Sequence, residues 1–68
     1  MEINGISEEI FEQYEEIRLT GLTNMFDMKR VLQIAEMRDF SELIEFADNK
    51  ISNYSKILQS HSEWRHKK

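Results

Sequence analysis

The sequence contains no cysteine and no proline, only two glycines, and one tryptophan in 68 residues. The missing cysteine excludes disulfides and thiolate metal sites together and fits a reducing compartment. The missing proline leaves no position where a helix is barred by a fixed φ and a lost N–H. No apolar run approaches the ~20 residues that span a bilayer. The opening "MEINGISEE" has neither the basic flank nor the apolar centre of a secretory leader. What remains is one small domain. A chain of this size buries only roughly 60% of the surface its unfolded form exposes, so self-association is the expected aid to stability.

Charge of one sign is scarce in each part of the chain. Residues 1 to 48 carry twelve Asp and Glu against four Lys and Arg, whereas residues 49 to 68 carry Glu63 against Lys50, Lys56, Arg65, Lys67 and Lys68. The body is therefore at −8 and the end at +4, matching the overall −4. An acidic body argues against nucleic acid and anionic membrane as partners, because a basic face supplies most of that attraction.

Apolar residues recur at spacings of three and four, the helical period. The spacing predicts an all-α fold of three helices over about 8–19, 28–38 and 41–60, followed by a tail over 61–68. Ser7 is the expected cap of the first helix, with Glu8 and Glu9 in the turn where the helix dipole favours negative charge. Ile10, Tyr14 and Ile17 share one stripe, with Phe11 on its flank. Glu8, Glu9, Glu12, Glu15 and Glu16 take the opposite side.

Gly21 is placed to end this helix in a left-handed conformation. Asp27 is the expected cap of the second, with Asn24 the competing start. Its expected stripe is Met28, Val31, Leu32 and Ala35, with Ile34 and Met37 off it. Ser41 is the expected cap of the long third helix, and Phe40 its apolar staple. That helix carries Leu43, Ile44, Ala47, Ile51, Tyr54 and Leu58 on one stripe. Phe46, Ile57 and Trp64 form a second seam, which is the expected interface of a homodimer.

The junction "TGLTNMFDMKRV" holds Met25 and Phe26, either as apolar plugs for the core or as a partner-binding surface. The run "IRLTGLTNMFDMKRVLQIA" and the following "FSELIEF" resemble a family of short proteins from phages and prophages of Gram-positive bacteria. That family shares an I-R-x-T-G-x-T-N-M-F-D segment, and the likeness covers Ile17 to about Ala47. The resemblance implies a helical domain of unknown function and a place in the cytoplasm of a bacterial host. It implies no reaction and no catalytic residue.

Candidate chemistry is thin. "IAEMRDFSELI" has the spacing of a helix-turn-helix, with Asp39 where glycine is usual, but Glu42, Glu45 and Asp48 would meet phosphates on its second helix. His61 and His66, with Glu63, do not make the three or four positioned ligands of a zinc site and are expected to be exposed tail histidines. No nucleophile–base pair or glycine-rich phosphate loop is present, so neither enzyme activity nor a cofactor is expected. The expectation that stands is a small acidic accessory protein acting by protein–protein binding, in the form of an inhibitor of a host or defence protein. Its contact residues are Glu12, Glu15, Glu16, Met25 and Phe26. The alternative is a helix-turn-helix DNA-binding regulator.

Overall fold

The computed structural model describes residues 2–21 and 23–67; Met1, Leu22 and Lys68, the last two within the junction and the tail, lie outside the described residues. The chain begins with a feature absent from the helical reading. Strands β1 (Glu2–Ile3) and β2 (Ile6–Ser7) pair antiparallel, with Ile3 opposite Ile6. Their two-residue turn is Asn4–Gly5, with φ of 54° and 79°. Asn-Gly is the dipeptide that tolerates two successive left-handed residues and matches the twist of the strands it joins. Both hairpin isoleucines are buried, so the turn places two apolar groups over the core.

Helix α1 (Glu8–Thr20) follows directly, and buries Ile10, Phe11, Tyr14 and Ile17 as its period requires. Ser7 precedes it in extended conformation, without capping it through its side chain. Gly21 ends it at φ 66°, donating its N–H to the Arg18 carbonyl. Helix α2 (Met28–Met37) starts at Asp27, whose carboxylate accepts from the Arg30 N–H at 3.3 Å. Asn24 is not the cap, because its Oδ1 accepts from the Phe26 N–H within the junction. The buried side of α2 is Val31, Ile34 and Ala35. Its face is turned relative to expectation, with Ile34 inside and Met28 and Leu32 only half-buried.

The turn after α2 is a Schellman motif. Asp39 is left-handed at φ 58° and donates to the Glu36 carbonyl, while Phe40 donates to the Ala35 carbonyl at 2.9 Å. Helix α3 (Ser41–Asn49) begins from Phe40, one residue before the expected cap. The Ser41 hydroxyl bonds Glu42 instead. The cap comes from another helix: Gln13 on α1 accepts from the Leu43 N–H at 2.9 Å and donates to Glu42 Oε1 at 2.9 Å.

The expected third helix is two helices. Lys50 is extended (φ −149°, ψ 139°) and separates α3 from α4 (Ile51–Lys67). In an unbroken helix the Lys50 N–H would bond the Phe46 carbonyl. Here the Asn53 side-chain amide takes that carbonyl at 2.8 Å, and the Asn53 N–H bonds the Lys50 carbonyl. The break resets the helical phase. Ile51 is left 82% exposed, while Tyr54, Ile57 and Trp64 turn inward. The segment expected as a tail is helix up to Lys67.

The core gathers the hairpin and all four helices around Phe11, Leu43, Ile57 and Trp64, each fully buried. Phe11 and Trp64 stack with ring centroids 5.5 Å apart. The second seam expected at a dimer interface is therefore filled within one chain: Ile57 and Trp64 are fully buried and Phe46 packs half-buried against the core. The radius of gyration, 10.8 Å, equals the ~11 Å of a compact single chain of this length.

Candidate functional site

Glu15 is the most engaged carboxylate among the described residues. Its Oε1 accepts from Arg18 Nε at 2.6 Å and from His61 Nε2 at 3.0 Å, and its Oε2 lies 3.5 Å from Arg65 Nε. A carboxylate only accepts, so the His61 ring carries its proton on Nε2. The Arg18 bond, ahead of the His61 charge, holds the Glu15 carboxyl below the usual range, burial opposing it in part.

His61 itself is buried, with its ring centroid 4.8 Å from Tyr14 and 5.8 Å from Trp64. That burial outweighs the adjacent carboxylate and pushes its pKa down. The exposed tail histidine expected from the sequence is thus a buried ring that fastens α4 to α1. Among the described residues, no group of His, Cys, Asp or Glu could hold a metal ion.

The outer side of α1 retains Glu12 and Glu16 as exposed carboxylates. Glu16 lies 3.7 Å from Arg38 across exposed side chains, a pair of small energetic worth. Leu19, 70% exposed, lines a shallow hollow with Glu12, Glu15 and Glu16. Met25 and Phe26 divide. Met25 packs half-buried on the core, and its carbonyl accepts from the Tyr54 hydroxyl at 2.5 Å. Phe26 stands 81% exposed in the turn that leads to α2. The five expected contact residues thus include two structural ones, Glu15 and Met25, and three outward ones, Glu12, Glu16 and Phe26.

A further surface was invisible in the sequence. Between α2 and α3 runs a hollow of about 410 Å³ whose lining includes Met28, Leu32 and Ile44, with Glu36 and Asp48 at its edge. A hollow of about 570 Å³ along α3 shares Ile44 and Asp48 with it and adds Glu45. The signal was the placement of Met28 and Leu32 four residues apart. The same spacing serves a core stripe, and Ile34, turned inward, leaves the pair half-exposed.

A family model described as a domain of unknown function, DUF5049, matches residues 6–59. The chain belongs to the DUF5049 family. The matched stretch runs from β2 into α4, so the DUF5049 unit contains the outer face of α1, the α2–α3 hollow and the Asp39 turn. His61, Trp64 and Arg65 lie beyond it. No curated protein and no solved structure matches the chain. Among the described residues, no helix is long and apolar enough to cross a membrane.

Proposed function

We propose that this DUF5049 protein is a phage-type accessory protein that acts by binding another protein in the cytoplasm of a bacterial host, in the manner of an inhibitor. The observation that carries the reading is Leu19, 70% exposed in one hollow with the carboxylates of Glu12 and Glu16. An apolar contact ringed by like charges supplies both burial and orientation to a basic partner surface. Phe26 adds an aromatic anchor of the kind that dominates contact energies. The phage assignment rests on the I-R-x-T-G-x-T-N-M-F-D segment and its likeness to phage and prophage proteins.

The test is affinity capture from host lysate with Glu12→Lys and Glu16→Lys together. Glu15 is left intact, because its reversal would break the Arg18 and His61 bonds and confuse unfolding with lost binding. Loss of a stoichiometric partner at unchanged helicity supports this surface; retention removes it.

The three-residue Asp39 turn favours one second reading, a helix-turn-helix that binds DNA. Exposed Glu45 and Asp48 on α3 oppose it by repelling phosphate. DNA affinity that falls steeply with salt would restore that reading. A dimer would have to use exposed groups such as Met37 and Ile51, and light scattering reports its mass.

A further inference from the structure

The α2–α3 trough combines three half-buried apolar side chains, Met28, Leu32 and Ile44, with three carboxylates, Glu36, Glu45 and Asp48. Glu36, Glu45 and Asp48 are exposed, and Lys29 is the one cation among the lining residues. Met28 and Leu32 are four residues apart on α2 and so present adjacent apolar knobs along one side of that helix. Ile44 supplies the third from α3. A groove between two helices admits the ridge of a third.

We propose that this trough docks a basic amphipathic helix of another protein. The apolar edge of that helix lies on Met28, Leu32 and Ile44, and its lysines or arginines meet Glu36, Glu45 and Asp48. Charge complementarity selects this occupant. The rim is net negative, it belongs to a body at −8 over residues 1 to 48, and rim charges steer oppositely charged partners and repel phosphate. The chain's own basic end does not fit as the occupant in a second copy. Among its residues Ser62, Glu63, Arg65, His66 and Lys67 are exposed, all of them polar, whereas Trp64 is fully buried. The trough proposal rests on the protein-binding reading but assigns the contact to a different face.

The two faces are separated by one experiment on the intact chain. The probe is a fluorescein-labelled synthetic peptide of leucine and lysine, about 14 residues or roughly four helical turns, in amphipathic register. A scrambled peptide of the same composition is the control, and fluorescence anisotropy is the readout. The wild-type protein is expected to bind the ordered peptide and not the scrambled one. Glu45→Lys with Asp48→Lys is expected to weaken binding about tenfold or more at unchanged circular dichroism. Glu12→Lys with Glu16→Lys makes the same change of charge on α1 and is expected to cost less binding than the α3 pair does.

Absence of binding overturns the proposal, as does equal binding of the scrambled peptide. An equal or larger loss in the α1 variant overturns it while leaving the α1 surface standing. If light scattering shows a dimer that the α3 variant dissociates, the trough belongs to a second copy and the proposal falls. The underlying reading fails separately, when neither pair of reversals alters lysate capture.

Discussion

Asp39 occupies φ 58° in the turn between α2 and α3, a conformation that costs a residue with a Cβ roughly 1–2 kcal/mol. Glycine removes that strain but adds freedom to the unfolded chain, so the two effects partly cancel. Asp39→Gly is expected to stabilise the protein by about 0.5–1 kcal/mol, read as a raised urea midpoint at unchanged slope. His61 makes a second claim at this scale. Its pKa lies below 6.5 in the fold, so the unfolded chain takes up the proton first as pH falls. Stability is therefore full above that unfolded value and is lost as pH drops through it toward the folded one. Glu15, lowered below 4.5, contributes stability above 4.5 and loses it in more acid solution, so the two groups act in the same direction. Urea midpoints are expected to fall between about pH 7.5 and about pH 5.5, and His61→Gln is expected to flatten that interval while leaving the steeper acid loss.

Individual elements show which signals are local and which are not. Gly21 and Asp27 end and start their helices as their residue types require, because a left-handed C-cap and an N-cap carboxylate act within one turn. Asn4–Gly5 was equally local, and the hairpin signal was there in "INGI". Two-residue strands carry no period to set against the helical one, so hydrophobic pattern alone does not reveal them. The break at Lys50 was not legible, since the groups that settle it, Asn53 and the Phe46 carbonyl, meet only once the chain has turned. The trough was hidden for the same reason: the half-buried state of Met28 and Leu32 depends on how α2 is rotated. Helix α3 gives the sharpest case, because its first turn is capped from thirty residues away by Gln13. Gln13→Ala removes the acceptor for the Leu43 N–H and the donor to Glu42. The loss is expected to be about 1–2 kcal/mol by urea denaturation, whereas Ser41→Ala, which removes no cap, is expected to change little.

At the scale of the whole molecule, the last two turns of α4 decide whether the domain closes on itself. Trp64 is fully buried and stacked on Phe11, and His61 joins Glu15 on the opposite helix, so α1 is held by residues that lie after the stretch shared with the family. A domain of this size has on the order of 3–10 kcal/mol of stability. Truncating a buried tryptophan costs about 3–5 kcal/mol. Trp64→Ala is therefore expected to leave the protein near or past its unfolding midpoint at room temperature, measured by circular dichroism, while Trp64→Phe keeps the ring and a folded chain. Ending the chain after Ser60 removes Trp64 and His61 together and is expected to abolish cooperative unfolding. A solvated tail over 61–68 would leave the urea midpoint where it was. The same truncation distinguishes the two routes to stability open to so small a chain. If the shortened protein refolds only as concentration rises, a second copy can replace the lost helical turns; if it stays unfolded, the core depends on its own Trp64.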